Sequence, residues 1–167
     1  MIEVPKVMIE TAVSAADRAR EITTRYFRAK FTIDTKQDDS PVTIADRETE
    51  ALVRGIIEDR HPDHSFLGEE TGDRTTGSPW RWVIDPIDGT KSFASGKPTF
   101  GTLIALLYED QPVLGIIDQS ALDERWLGVA GRESTFNGNP CLAGKTGRLA
   151  DAILYATTPD MFSGSTL

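Results

Sequence analysis

The sequence has little cysteine and no surplus of positive charge. Cys141 is the one cysteine among 167 residues, so neither an intrachain disulfide nor a cysteine-based zinc site can form within the chain. The 26 acidic side chains outnumber the 18 basic ones, for a net charge of −8. Nonspecific nucleic-acid binding and attraction to anionic membranes both need lysine and arginine surfaces. We therefore expect partners that are neither nucleic acids nor membranes.

Long apolar runs and internal repeats are also lacking. No stretch approaches the roughly twenty apolar residues that cross a bilayer. Residues 1–6 lack the basic and then apolar segments of a signal peptide. These absences predict a cytoplasmic protein. The apolar share of 39% is nevertheless enough for a buried core in a chain of this length.

Two helical patterns lie near the start of the chain. Apolar or small residues recur at steps of three and four from Val4 to Tyr26, which is typical of an amphipathic helix. A second helix is predicted to begin at Thr43, because Asp46 follows three residues later as in a capping box. Pro62 is predicted to end it.

The hydrophobic period changes towards two after the second helix. Strands are predicted over residues 31–35, 65–67, 81–84, 100–108, 112–118, 125–129, 135–136 and 152–156. Residues 36–41 are polar and are predicted to form a loop. Helices followed by a run of strands indicate an α+β domain with the helices layered on an antiparallel sheet.

Acidic residues follow two of the predicted strands, at the point where each strand ends. Glu69 and Glu70 follow one of these strands, and Asp85 and Asp88 follow another. Carboxylates at the ends of neighbouring strands converge and repel one another. A hard divalent cation removes the conflict and prefers oxygen ligands. The sequence therefore predicts a divalent cation site.

The segment around Asp85 has the spacing that one metal centre requires. Pro86 restricts the turn between Asp85 and Asp88, so both carboxylates can face one ion. The backbone carbonyl of Ile87 would then be a further oxygen ligand. Metal ligands at this place suggest metal-assisted phosphoryl chemistry, provided that a phosphate site lies beside them.

Such a phosphate site is predicted directly after the acids. Gly89 and Thr90 open a short predicted helix over residues 90–95. The start of a helix presents free backbone N–H groups and the positive end of the helix dipole, both of which favour a phosphate group. The predicted metal ligands come directly before the start of this helix in the sequence. This order is consistent with a metal ion and a phosphate group lying side by side.

Each part of this pattern also has a simpler interpretation. Residues 85–89 could form a tight turn, since Asp, Pro and Gly are favoured in turns. A calcium loop fits poorly, because Gly96 stands where its bidentate glutamate should be. Asp46 taken alone would be a helix cap, and Glu69 with Glu70 a solvated loop. The combination of all these features favours the metal and phosphate interpretation.

Three segments resemble the inositol monophosphatase-like superfamily of magnesium-dependent sugar phosphatases. They are residues 41–46 (PVTIAD), 68–70 (GEE) and 82–93 (WVIDPIDGTKSF). Further segments resemble its histidinol-phosphatase branch, namely residues 102–107, 122–131, 135–138 and 158–162. The resemblance implies the N-terminal half of the sugar-phosphatase fold. It also implies Mg²⁺-dependent hydrolysis of a small phosphomonoester, with L-histidinol phosphate favoured and an inositol phosphate as the alternative.

The resemblance also implies roles for individual residues. The implied ligands of two or three Mg²⁺ ions are Glu69, Asp85, the Ile87 carbonyl and Asp88. The implied substrate-binding residues are Glu69, Asp88, Gly89 and Thr90. Glu69 and Thr90 would position and deprotonate the attacking water, with Asp46 hydrogen bonded to Thr90 as a relay. Lys36 would lie in a mobile loop beside the metals.

Members of this superfamily are longer than 167 residues and carry a later carboxylate motif. We therefore expect residues 1–145 to form an N-terminal α+β metal-binding domain and residues 146–167 to begin a truncated second α/β domain. A catalytically inactive metal-binding fragment is accordingly an alternative function. The resemblance further predicts a homodimer and a small phosphorylated metabolite as the partner.

Overall fold

The fold is built on one large β-sheet backed by two long helices. The structure is a computed structural model that describes residues 2–30, 33–35, 41–153 and 155. The helices in these ranges are α1 (Lys6–Tyr26), α2 (Ile44–Arg60) and α3 (Thr90–Ala94). The strands in these ranges are β1 (Ile33–Thr35), β2 (Pro41–Thr43), β3 (Ser65–Gly68), β4 (Gly72–Arg74), β5 (Trp80–Asp88), β6 (Gly101–Tyr108), β7 (Gln111–Gln119), β8 (Glu124–Val129), β9 (Thr135–Phe136) and β10 (Asn139–Pro140). None of the described helices could span a membrane.

Eight of the strands form a single sheet in the order β10-β9-β8-β7-β6-β5-β3-β4, while β1 and β2 pair with each other. Neighbours in the large sheet run antiparallel except β3 and β5, which run parallel. The predicted α+β class and antiparallel sheet are thus confirmed, with one exception. The exception arises because β4 turns back along the outer side of β3, and the chain then enters β5 in the direction of β3.

The start of α2 has the predicted capping box. The Thr43 hydroxyl oxygen accepts from the backbone N–H groups of Ala45 and Asp46, at 3.1 and 3.4 Å. In return, the Asp46 carboxylate accepts from the Thr43 N–H at 2.8 Å. Three backbone N–H groups at the start of the helix are thereby satisfied. The same bonds fix the orientation of Asp46 at the buried side of the helix.

The main core lies between the two long helices and one face of the sheet. Helix α1 contributes four fully buried alanines, which are Ala12, Ala15, Ala16 and Ala19. Their small side chains let α2 approach closely. Val53 and Ile57 come from α2, and Phe66, Trp82 and Leu106 come from the strands. The periodic stripe from which α1 was predicted is therefore the buried face of that helix.

Two stacked histidines join the end of α2 to the core. The rings of His61 and His64 lie 4.7 Å apart between centroids. Trp82 donates its indole N–H to Nδ1 of His64 at 3.1 Å, and Nε2 of His61 lies 3.0 Å from the Thr11 hydroxyl. Burial lowers the pKa of both rings, that of His64 to about 4.

A buried carboxylate connects α1 with the middle of the sheet. Asp118 of β7 has no exposed side-chain surface, and it accepts from Arg20 Nη2 at 2.8 Å and Nε at 3.1 Å. It also accepts from Arg125 Nε of β8 at 2.6 Å. Two guanidinium groups therefore offset the cost of burying this charge.

The face of the sheet that points away from α1 and α2 is open. Its apolar side chains are only partly covered, and Ile117 exposes 47% of its surface. A groove of about 580 Å³ crosses this face, and Leu103, Ala105 and Trp126 are among its lining residues. Asp85 also lines the groove, so the open face adjoins the acidic edge of the sheet.

Some predicted segment ends differ from the structure. Strand β5 continues four residues past its predicted end at residue 84, up to Asp88. The described residues of the predicted strand 152–156 are not in a strand, because they follow a 3₁₀ turn (Leu149–Asp151) and lie exposed away from the sheet. Residues 31–32 of a predicted strand and 36–40 of the predicted loop fall outside the described residues. The domain boundary at residue 145 stays a prediction.

Candidate active site

The parallel pairing of β3 and β5 brings two acidic residues together. Gly68, the last residue of β3, pairs with Ile84 of β5. The next residue in each chain segment is acidic, Glu69 after β3 and Asp85 in β5. Strands that run parallel direct their carboxyl ends to the same edge of the sheet, and Glu69 lies near enough to Asp85 there to raise its pKa. The sequence predicted this proximity but not its parallel geometry.

Asp85 is the most perturbed carboxyl group of the described residues. Burial raises its pKa to about 7, and the negative charge and hydrogen bond of Glu69 and the charge of Asp88 add to this effect. The hydrogen bond that it accepts from the Ile87 N–H acts in the opposite direction. The charged form of Asp85 is therefore disfavoured unless a cation neutralises its surroundings.

A β-bulge places the second acid of β5. Asp85 pairs with Leu103 of β6, whereas Asp88 pairs with Gly101, so one extra residue lies between them on β5. Pro86 sits in this bulge, where its lack of an N–H group costs no strand hydrogen bond. The Ile87 N–H donates instead to Oδ1 of Asp85 at 3.1 Å. The bulge therefore keeps Asp85 and Asp88 at one edge of the sheet.

Gly89 and Thr90 follow at the beginning of α3. Gly89 has a φ of +87°, and a Cβ there would lie 2.9 Å from the Thr99 carbonyl oxygen, so a side chain does not fit. The Thr90 hydroxyl donates to the Ile87 carbonyl at 3.1 Å. A carbonyl oxygen has two lone pairs, so the Ile87 oxygen retains capacity for a metal ion.

An aromatic cluster holds α3 against the sheet. Phe93 of α3 and Phe100 pack edge to face with ring centroids 4.8 Å apart. Phe27, just after α1, lies 5.0 Å from the Phe100 ring, and Ile87 and Ala45 complete the buried cluster. This aromatic cluster thus holds the backbone that carries Asp88, Gly89 and Thr90 in place.

Asp46 lies near the acidic pair and is hydrogen bonded to Thr43. Burial and the charge of Glu69 raise its pKa, while hydrogen bonds from Thr43 oppose that shift. Within the described residues, the Asp46 carboxylate is bonded to Thr43 and the Thr90 hydroxyl to Ile87. Neither of these bonds joins Asp46 to Thr90, and the relay role of Asp46 stays a prediction.

The donor set of this edge fits Mg²⁺ in its chemistry. Glu69, Asp85, Asp88 and the Ile87 carbonyl supply only hard oxygen atoms, which this cation prefers. Among the residues that the structure describes, no group of three or more acidic, histidine or cysteine side chains has the spacing of a formed metal site. Glu69 and Asp85 lie close together at this edge, and metal binding by the predicted ligand set stays a prediction. Lys36 lies outside the described residues.

Sequence reasoning missed one buried carboxylate beside this edge. Glu50 of α2 has 0% exposure and accepts hydrogen bonds from the backbone N–H groups of Glu70 and Thr71. The signal was present, because Glu50 falls on the same face of the helix as the apolar Val53 and Ile57. An acid in such a stripe has to find polar partners inside the protein.

Comparison with known proteins shows the family of this chain. The model of the inositol monophosphatase family matches residues 5–161. The chain belongs to the inositol monophosphatase family. It is 49% identical over 150 residues to the chloroplastic bifunctional phosphatase IMPL2 of Arabidopsis thaliana, covering 89% of this chain and 43% of the relative. It is 44% identical to the histidinol-phosphatase of Mycobacterium tuberculosis, covering 72% of this chain and 47% of the relative.

Two solved structures superpose on the described fold. An inositol monophosphatase from Zymomonas mobilis has a TM-score of 0.70 and 43% identity, with 83% of this chain and 53% of that chain covered. The extragenic suppressor protein suhB from Bartonella henselae has a TM-score of 0.78 and 28% identity, with 81% and 54% covered. The chain thus spans about half the length of the family members that it matches.

Proposed function

We propose that this protein is a Mg²⁺-dependent phosphomonoesterase that acts on a small phosphorylated metabolite. The observation that carries the proposal is the proximity of Glu69 and Asp85 at the ends of two parallel strands. Asp88, Gly89 and Thr90 continue directly from this pair. Carboxylates that lie close together repel each other, and a bound cation removes this repulsion.

The proposed metal ligands are Glu69, Asp85, the Ile87 carbonyl and Asp88. When bound, Mg²⁺ neutralises the charge of a phosphate dianion and lowers the pKa of a coordinated water. The four groups come from the end of β3 and from the bulge of β5, so the sheet itself sets their spacing. The metal ions also explain how a protein of net charge −8 can accept an anionic substrate.

The remaining proposed roles belong to side chains around the acidic edge. Glu69 and the Thr90 hydroxyl orient the attacking water and accept its proton, and the buried Asp46 is a reserve acceptor behind them. For Asp46 to act as a relay that receives a proton from Thr90, the Thr90 hydroxyl has to exchange its hydrogen bond to the Ile87 carbonyl for one to Asp46. Asp88 and the Gly89 backbone bind the phosphate, since the absence of a side chain at Gly89 leaves room for close approach.

L-histidinol phosphate is the favoured substrate. Relatives named histidinol-phosphatase are 41% to 44% identical to this chain, while plant relatives named inositol monophosphatase are 30% to 32% identical. An inositol phosphate is the alternative substrate, supported by the 43% identity to the structure of the Zymomonas mobilis enzyme. Histidine biosynthesis would be the corresponding pathway for the favoured substrate.

A third possibility is metal binding without turnover, because the chain spans about half the length of its relatives. The cytoplasmic location and the homodimer stay predictions. Light scattering of the purified chain measures the oligomeric state directly.

Phosphate release and calorimetric Mg²⁺ titration on the same sample test the proposal. Both L-histidinol phosphate and an inositol phosphate are supplied, each with Mg²⁺ and with a chelator. We expect Mg²⁺-dependent release that Asp88→Asn reduces at least about a hundredfold, while Asp110→Asn in the exposed β6–β7 turn does not. Mg²⁺ binding without release supports the inactive alternative. Release that persists in chelator, or no Mg²⁺ binding, contradicts the proposed site.

A further inference from the structure

Glu50 fixes the backbone that follows Glu69. Its Oε2 accepts from the Glu70 N–H at 2.8 Å, and its Oε1 accepts from the Thr71 N–H at 2.7 Å. The Thr71 hydroxyl donates to Oε1 as well, at 2.6 Å. Three donors thus converge on one fully buried carboxyl group. Such bonds to an acidic group are about twice as strong as neutral ones.

Gly68 brings the backbone on the other side of Glu69 against the same carboxyl group. A Cβ on Gly68 would lie within 2.9 Å of all three atoms of the Glu50 carboxyl group. A side chain at position 68 would therefore displace Glu50. Because Glu50 contacts the chain both before and after Glu69, it limits the positions that the Glu69 backbone can take.

Arg54 determines the direction of the third hydrogen bond. Its Nη1 donates to the Thr71 hydroxyl at 2.8 Å, so the hydroxyl proton is directed to Glu50. Arg54 is itself held by Glu58, through an Nε to Oε1 bond of 2.9 Å, and its guanidinium lies over the Phe66 ring. Glu50 is therefore part of a network whose geometry is fixed by packing.

We propose that Glu50 is a positioning residue for Glu69 at the metal site. The inference rests on the proposed function, because Glu69 is a proposed metal ligand. Asp46 lies one helical turn before Glu50 on the buried face of α2, so this one helix places both the relay residue and the Glu69 loop. Residues that orient metal ligands from behind commonly change metal affinity about 10- to 100-fold when they are replaced.

Glu50→Gln tests this role with little change in size. An amide presents an NH₂ group to one of the backbone donors, so at least one of the three hydrogen bonds is lost. The matched control is Asp59→Asn, which makes the same chemical change at an exposed position of α2. Calorimetric Mg²⁺ titration is carried out at a temperature at which circular dichroism shows both variants fully folded. Hydrogen exchange at the Glu70 and Thr71 amides is measured in parallel.

We expect Glu50→Gln to weaken Mg²⁺ binding at least about tenfold and to speed exchange at the two amides, with Asp59→Asn within about twofold of the unmodified protein. A folded Glu50→Gln protein with unchanged Mg²⁺ affinity overturns the inference, even if its thermal stability is lower. If Glu50→Gln does not fold, Thr71→Val serves as the second variant, because it removes only the hydroxyl donor to Glu50. We expect Thr71→Val to weaken Mg²⁺ binding about threefold. An unchanged Mg²⁺ affinity of Thr71→Val would overturn the inference. Absence of Mg²⁺ binding by the unmodified protein overturns the proposed function, and this inference with it.

Discussion

The indole N–H of Trp82 donates to Nδ1 of His64 across 3.1 Å in the core beside α2. Nδ1 can accept this bond only while it carries no proton. Burial, together with the neighbouring His61, lowers the pKa of His64 to about 4. An unfolded chain has no such environment, and its histidine pKa is near 6.5. The pair therefore couples folding to pH.

We expect the contribution of His64 to the free energy of unfolding to decrease as the pH falls from 6.5 to about 4. In this window the unfolded chain binds a proton on His64 that the folded chain does not bind, so acid favours unfolding. The ring is partly exposed, so we expect a loss of about 2 kcal/mol. Urea unfolding of the protein and of His64→Asn measures it, since Asn keeps an acceptor but does not titrate. The raised pKa of Asp85 has the opposite effect in both proteins and cancels. A pH-independent difference contradicts the prediction.

Removal of one charge from the acidic pair should stabilise the protein when divalent ions are absent. Above its pKa of about 7, the ionised Asp85 is repelled by the charges of Glu69 and Asp88. We expect Asp85→Asn to raise the free energy of unfolding by about 1 to 2 kcal/mol in chelator. Excess Mg²⁺ should then stabilise the unmodified protein and leave the variant unchanged. Thermal unfolding of both proteins with chelator and with Mg²⁺ checks this, and equal stabilisation of both would contradict it.

The ion pairs of Asp118 should contribute strongly to stability because they are buried. Asp118→Ala leaves Arg20 and Arg125 without their shared carboxylate, and we expect a loss of about 3 kcal/mol. The control is Asp151→Ala, which breaks the exposed pair with Arg148 and should cost less than about 0.5 kcal/mol. Chemical denaturation measures both. Similar losses in the two variants would show that burial does not determine the difference.

Gly89 should not tolerate a side chain. Gly89→Ala combines a positive φ with the close approach of the Thr99 carbonyl, and we expect it to cost about 1 to 3 kcal/mol in unfolding free energy. Gly144→Ala is the control, since no atom lies within 4 Å of a Cβ at that position. If Gly89→Ala is as stable as this control, the backbone around α3 can adapt and the expected strain is absent.

The helices and the antiparallel strands could be predicted because their signals are local. The stripe of α1 and the capping pair Thr43 and Asp46 each lie within a short stretch of sequence. The parallel pairing of β3 and β5 was not predicted, because it depends on β4, whose three residues are too few to show a period. The pairing of Asp118 with Arg20 joins residues 98 positions apart, and nothing in either local segment indicates it.

The candidate site was predictable to a similar degree. Glu69 and Asp85 were expected to converge and lie close together, because strand ends determine their place. The bond of Asp46 to Thr43 follows from the capping pattern, whereas the bond of Thr90 to the Ile87 carbonyl was not predicted. Glu50 was missed because an acidic residue is by default expected to be exposed to solvent. The catalytic and metal-binding roles stay predictions.

The separation of the two acidic groups depends on strand pairing and not on the chain between them. That chain leaves the acidic edge through β4 and then crosses exposed residues 75–77, and Gly77 has open space around its Cα. Changes in length at such a surface connection are generally tolerated. A short peptide inserted beside Gly77 should therefore leave Glu69 and Asp85 in register, and the connection is a suitable attachment point for a label or an affinity tag.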